Sequence, residues 1–224
     1  MRLRAIAPGF ILFQAVASIA SAAIIVDIGP NSGTSFRVGG PNSQVEAMSW
    51  TQSGAYTGVS ISALVGSIDG SSETVSAYLT TSVGPGAGAP IATSSVTVAS
   101  FANEGAIAPA ALFSGLTLNA GSYYLTLFNP NTTGNVNLRW ARGTAVAFGA
   151  GVSGNGEYFS NATNGVPNTA NPWQSTFVTS GLYDNGFTVT GTTVPEPGSL
   201  LLVSSALVTL GVASRFRRAR ARMD

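Results

Sequence analysis

Hydrophobic and polar residues alternate with a period of two through most of the middle of the chain. Residues 59–65 (Val-Ser-Ile-Ser-Ala-Leu-Val) and 74–80 (Thr-Val-Ser-Ala-Tyr-Leu-Thr) put apolar side chains on one face and polar ones on the other, the signature of a half-buried strand. Asp69-Gly70 lies between them and suits a tight hairpin, because glycine takes the positive φ that such turns require. Residues 91–98 predict a further strand. In residues 113–128, Leu116 and Leu118 share one face, Asn119-Ala120-Gly121 forms a turn, and Tyr123, Leu125 and Leu127 continue an apolar face. Shorter strands are predicted at 137–140, 146–148, 176–179 and 187–190, with Asp184-Asn185-Gly186 turning into the last. Residues 84–90 are too rich in glycine to be anything but a loop, and residues 149–175, dense in Gly, Asn and Ser, read as long rim loops. Nothing between residues 24 and 190 sustains a 3.6-residue apolar period. The pattern predicts one all-β domain over residues 23–193, an antiparallel β-sandwich of jelly-roll-like form.

Both ends break this pattern. Arg2 and Arg4 precede an apolar run at 6–19, and Ala20 and Ala22 supply the small residues of a cleavage site before Ala23. That order predicts a secretory signal helix over residues 1–22. At the other end, residues 199–214 are apolar or small and uncharged, and Arg215, Arg217, Arg218, Arg220 and Arg222 follow at once. A helix over that run reaches ~24 Å, short for a ~30 Å hydrocarbon core, and flanking arginines can snorkel to cover the difference. The arginine cluster holds that end in the cytoplasm, so the segment reads as a transmembrane helix with the domain outside. Pro195-Glu196-Pro197 stands just before it, and its prolines favour an extended, unpaired stretch.

A Pro-Glu-Pro triad, a short transmembrane helix and an arginine-rich end, in that order, resemble the PEP-CTERM sorting domain of Gram-negative envelope proteins. The resemblance covers residues 194–222 and implies processing by an exosortase, a multispanning membrane protease. It makes Pro195, Glu196 and Pro197 the recognition triad, and Arg215, Arg217, Arg218, Arg220 and Arg222 the retention cluster. It further implies a protein anchored in the inner membrane during sorting and then carried to the cell surface or extracellular matrix. Leu-x-Leu-x-Ala-Gly-x-Tyr-Tyr-Leu at 116–125 is similar to a strand pair found in many β-sandwich ectodomains of this class.

Composition sharpens this division. Mean hydropathy is +0.30 and charged residues make up 8% of the 224 residues, against ~25% in an average domain. The apolar excess sits mostly in the two ends, as does most of the positive charge. Residues 23–194 hold Arg37, Arg139 and Arg142 against Asp27, Glu46, Asp69, Glu73, Glu104, Glu157 and Asp184, an excess of four negative charges. A weakly acidic domain without lysine lacks the clustered cations that nucleic acid demands. Without cysteine it depends on core burial rather than disulfides.

The candidate chemistry is thin. Histidine, cysteine and lysine are absent, which removes nucleophile–base catalysis and the ligands of ordinary zinc, copper and iron–sulfur sites. A glycosidase pair would be drawn from Glu46, Asp69, Glu73, Glu104, Glu157 and Asp184. Asp69 and Glu73 are the one pairing that suggests calcium, without an Asp-x-Asp spacing behind it. Sequons at Asn131 and Asn161 carry little weight in a bacterial setting. No enzyme, no metal and no cofactor are expected. The aromatic pool is Trp50, Tyr56, Trp140, Tyr158, Trp173 and Tyr183. Trp140 reads as core, whereas Trp173 lies in a loop, so Trp173, Tyr158 and Tyr183 are the candidate glycan contacts. Two readings follow: a structural surface or matrix protein, or an exopolysaccharide-binding module on the same tail.

Overall fold

A computed structural model describes residues 22–40, 44–68, 70–131, 137–163, 166–179 and 185–195. The predicted signal helix up to residue 21, and the tail from Glu196 onward with its apolar run and arginine cluster, lie outside the described residues. Among the described residues no helix is long and apolar enough to cross a membrane.

The strands are β1 (Ala23–Arg37), β2 (Val45–Gln52), β3 (Tyr56–Ser67), β4 (Glu73–Thr80), β5 (Ala92–Val98), β6 (Pro109–Leu118), β7 (Gly121–Phe128), β8 (Leu138–Phe148), β9 (Val152–Ser160), β10 (Val178–Thr179) and β11 (Phe187–Thr193). They form two antiparallel sheets. One has the order β11-β1-β8-β3-β6 with a further β11–β3 pairing, and the other has β10-β9-β2-β7-β4-β5. Packed face to face, they make a β-sandwich, as the alternation predicts. The ladders β1–β8, β2–β7, β3–β6 and β4–β5 describe one long two-stranded ribbon folded so that its successive segments fall in alternate sheets.

That ribbon overturns both predicted hairpins. β3 and β4 belong to different sheets, as do β6 and β7, so the turns at 68–72 and 119–120 are corners between layers. The face assignments survive. Leu118 on one sheet and Tyr123, Leu125 and Leu127 on the other are all buried in the same core. Alternation reports which face is apolar; it does not say whether the next strand is a lateral neighbour or lies across the ~10 Å between layers.

Three other expectations change. The separate strands at 137–140 and 146–148 are one strand, β8. Residues 152–160, read as part of a rim loop, form β9, whose full ladder with β2 tolerates Gly154 and Gly156 through a bulge opposite Ser49 and Trp50. β1 and β2 have no counterpart in the predicted strands. β1 is interrupted by Pro30 and Gly33, and the inward face of β2 carries Glu46, which breaks the apolar alternation.

The core bridges the layers through Trp50. Its ring stacks at 5.6 Å on Tyr123 of the neighbouring strand and lies 5.8 Å from Phe187 of the facing sheet. Its Nε1 donates to Gln52 Oε1 at 3.1 Å. Trp140, fully buried as expected, donates its Nε1 to the Gly186 carbonyl at 2.9 Å. Each buried indole thus meets its polar requirement inside the core, as burial demands.

Two connections cover the outer faces. Residues 99–108, between β5 and β6, cross from one sheet to the other and seal the outer face of the five-stranded sheet with Ile107, which packs with Leu64 and Ala141. Phe101 packs against Gly66, where a Cβ would stand 2.5 Å from the ring and 3.2 Å from the Ala99 carbonyl oxygen, so glycine is what lets the ring sit there. Residues 166–177, between β9 and β10, leave and rejoin the same sheet.

The described body closes at its two termini together. Ala23 pairs with Gly191, and the Val194 amide donates to the Ala55 carbonyl at 2.9 Å. Ala22 and Pro195 stand exposed just outside these last ties.

Candidate functional site

The outer face of the six-stranded sheet gathers most of the aromatic residues that are not in the core. Register fixes their places. Tyr158 of β9 lies opposite Ala47 of β2, Ala47 opposite Thr126 of β7, and Thr126 opposite Tyr78 of β4. In the adjacent row Ser49 lies opposite Tyr124, and Tyr124 opposite Thr80. Small side chains on β2 leave a gap across which the rings of Tyr124 and Tyr158 meet edge to face at 5.6 Å. Phe177 adds a third ring 6.5 Å from Tyr158. Burial, reinforced by the adjacent Tyr158, raises the Tyr124 phenol above its ordinary value of 10.0.

Trp173 closes the other end of this row. Its ring tilts over Tyr78 at 4.9 Å and its Nε1 donates to the Gly88 carbonyl at 3.0 Å. The Gly84 amide donates to the Trp173 carbonyl at 2.9 Å, and Gln174 Nε2 donates to the Ala87 carbonyl at 2.6 Å. Residues 166–177 are therefore clasped to the glycine-rich loop at 84–88, and Trp173 is half-buried by that clasp. Beneath this cover Thr80 and Thr126 are buried, and their hydroxyls have no hydrogen-bond partner among the described residues.

Of the expected glycan contacts, Trp173 and Tyr158 share this outer face, both half-buried. Tyr183 lies outside the described residues. Trp50, Tyr56 and Trp140 belong to the core. Tyr78, Tyr124 and Phe177 were not among the candidates. Period two from the buried Ala77, Leu79, Tyr123 and Leu125 puts Tyr78 and Tyr124 on the opposite face, and that signal was available in the sequence.

The carboxylates do not converge on an open cleft. Glu46 and Glu157 occupy the inward face of β2 and β9, on diagonal positions of one ladder, and are 0% and 1% exposed. Gln44 Nε2 donates to Glu46 Oε1, and Asn185 Nδ2 to Glu157 Oε1 at 3.4 Å. Glu73 accepts from Asn129 Nδ2 at 3.1 Å, and Glu104 faces Arg139 at 4.0 Å. Burial, with Arg37 nearby, lowers the Arg139 guanidinium below its usual value, and Glu104 partly offsets that. Asp69 and Asp184 lie outside the described residues, so the suggested Asp69–Glu73 pairing does too. Among the described residues no group of three Asp or Glu side chains converges as a metal site. A cleft of about 580 Å³ opens on the other outer face, between the 99–108 connection and the five-stranded sheet. Asp27 and Thr188, hydrogen-bonded at 2.9 Å, share its lining with apolar Pro30, Leu64, Ile107 and Pro109.

Of the sorting residues only Pro195 is described, exposed and immediately beyond β11. Glu196, Pro197 and the arginines from Arg215 to Arg222 lie outside, as does Ala20. Ala22 is exposed one residue before β1. No protein-family model matches the chain, and no curated protein matches it either.

Proposed function

We propose that this chain is an exported surface or extracellular-matrix protein whose C-terminal tail is processed by an exosortase, and whose ectodomain is structural and non-catalytic. One observation carries the reading. The sandwich begins at Ala23, directly after the predicted signal cleavage, and its last strand ends at Thr193, two residues before Pro195. A protease reading Pro195, Glu196 and Pro197 would meet them just outside the last strand. Removing either end would cost no described ladder. The ribbon of β1–β8, β2–β7, β3–β6 and β4–β5 supports the jelly-roll-like form of the ectodomain. The order of signal, domain, Pro-Glu-Pro, apolar run and arginine cluster supports inner-membrane anchoring during sorting and release to the surface.

Mass spectrometry of the surface form tests this directly. The expected species begins at Ala23 and lacks Arg215 to Arg222. A surface form that retains the arginine cluster overturns the sorting reading and leaves a plain tail anchor.

A second reading, an exopolysaccharide-binding module on the same tail, is favoured by the shared outer face of Trp173 and Tyr158. Aromatic rings stack on sugar faces, and this face adds Tyr78 and Tyr124 to the row. Exopolysaccharide should be retained by the processed surface form and lost from a Trp173→Ala variant. Retention by neither form removes this second reading.

A further inference from the structure

We propose that the outer face of the six-stranded sheet and the 166–177 cover form a two-jawed clamp for one sugar unit of an uncharged polysaccharide. The fixed jaw is a checkerboard on two neighbouring strands. Tyr78 of β4 lies opposite Thr126 of β7, and in the next row Thr80 lies opposite Tyr124. Two phenol rings thus stand on one diagonal and two hydroxyls on the other. Strand and pleat spacing make the patch ~5 by ~7 Å, about the footprint of a single pyranose ring. A sugar presents the matching mixture, apolar C–H faces with hydroxyls around the rim.

The two hydroxyls are what the closed fold leaves unexplained. Thr80 and Thr126 are 1% and 0% exposed, and neither Oγ1 has a hydrogen-bond partner among the described residues. Buried hydroxyls are normally bonded, because an unpaired one gives up its bond to water and gains nothing in return. Valine has the same shape and would avoid that penalty. A ligand hydroxyl standing between the rings supplies the missing partner.

The movable jaw is Trp173. Its ring now covers Tyr78 at 4.9 Å. A sugar between two aromatic faces needs ~7–8 Å, two van der Waals contacts of ~3.5–4 Å, so the cover must rise by ~3 Å. It is built to move as a body. Within it the Asn168 amide donates to Ser175 Oγ at 2.9 Å, the Asn171 amide to Asn168 Oδ1 at 3.0 Å and the Thr176 amide to the Val166 carbonyl at 2.9 Å. The bonds of Trp173 and Gln174 to the glycine-rich loop at 84–88 hold it shut.

Charge defines the ligand. Every outward position of β2, β4, β5 and β7 is uncharged, as is every residue of the cover and of the 84–90 loop. The domain as a whole has an excess of four negative charges. An acidic glycan would find no cation here and would be repelled, whereas a neutral one meets no such barrier. This deepens the exopolysaccharide reading above and rests on it.

The test uses the full chain in detergent micelles and the producing cell's own exopolysaccharide, split by anion exchange into neutral and acidic fractions. The neutral fraction should bind and change the emission of Trp173, since Trp50 and Trp140 are sealed in the core. Thr80→Val and Thr126→Val should each weaken binding about fivefold to tenfold, while the melting temperature holds or rises. Gln174→Ala removes a tie to the loop and keeps the ring. It should tighten binding about fivefold, because the open state becomes more populated. Binding indifferent to both valine variants overturns the clamp, and so does a lowered melting temperature in them, which would reveal a structural bond. A preference for the acidic fraction, or weaker binding in Gln174→Ala, overturns it as well. If the neutral fraction binds, Trp173→Ala abolishes that binding and the valine variants change nothing, the clamp alone falls and the binding-module reading stands. If neither fraction binds, both fall.

Discussion

The two outer faces of this sandwich are each covered by a connection that contains a single 3₁₀ turn, yet the two covers are built on opposite principles. Residues 99–108 are a crossover between sheets. They are held by buried apolar side chains, by Phe101 on Gly66, and by Asn31 Nδ2, which donates to the Glu104 and Ile107 carbonyls at 2.8 and 3.0 Å. Residues 166–177 leave and rejoin the same sheet, held by half-buried rings and a few bonds to the 84–88 loop. A crossover shares its anchors with both layers, so loosening it loosens the sandwich. An excursion from a single sheet can lift while every ladder beneath it stays paired. The first cover belongs to the cooperative unit, and the second is a candidate for local opening.

The largest effect is expected where the crossover is anchored. Ile107 is 3% exposed. Ile107→Ala should cost about 2–4 kcal/mol, from lost burial and the cavity left behind, and lower the melting temperature by several degrees. Calorimetry should still show one transition. A second transition would mean that this cover also opens alone, and the contrast would collapse. On the excursion, Trp173→Ala should cost about 1–2 kcal/mol, since the ring is only half-buried. Its larger effect should be local, with limited proteolysis cutting within 166–177 well below the melting temperature. If cleavage there stays as slow as in the unaltered chain, the clasp is not what holds this cover down.

The contrast could be read only in part beforehand. Alternation identified the core faces of β3, β4, β6 and β7 because each buries one face, and it placed Trp140 inside. It was silent on β2, where buried Glu46 and Gln52 share the inward face with Met48 and Trp50; Gln52 Nε2 reaches the Leu118 and Asn119 carbonyls, acceptors that only the fold brings near. It also misassigned the two corners, since Asp69-Gly70 and Asn119-Ala120-Gly121 suit a hairpin and a layer change equally well. Trp173 was legible as a loop aromatic; its use as a clasp was not, because Gly88 and Tyr78 lie 85 and 95 positions away in sequence.

Ionisation separates the covers next. Burial raises the phenols of Tyr124, beneath the excursion, and of Tyr123, facing the core, above 10.0. The unfolded chain then releases those protons first as pH rises. Their contribution is fully present below pH 10.0 and is lost as pH climbs through the higher folded values. Thermal melts between pH 9 and 11 should show falling stability, with a shallower fall in Tyr124→Phe. An unchanged slope in that variant would mean that the excursion does not shield this ring.

The smallest effect is expected at the ion pair between Arg139 and the crossover's Glu104. Arg139 Nε and Glu104 Oε1 are 4.0 Å apart, with side chains 17% and 33% exposed. At that separation and exposure the attraction is largely offset by solvent, and Glu104→Gln should cost less than about 0.5 kcal/mol. The backbone carbonyl of residue 104 still receives the Asn31 amide in that variant, so the turn keeps its main polar tie. Melts at low and at high salt provide the check, because a surface pair weakens with ionic strength while apolar burial does not. If Glu104→Gln proved as damaging as Ile107→Ala, and salt reproduced the loss in the unaltered chain, the crossover would be an electrostatic cover. The excursion, held by rings and neutral hydrogen bonds, would then be the more apolar of the two.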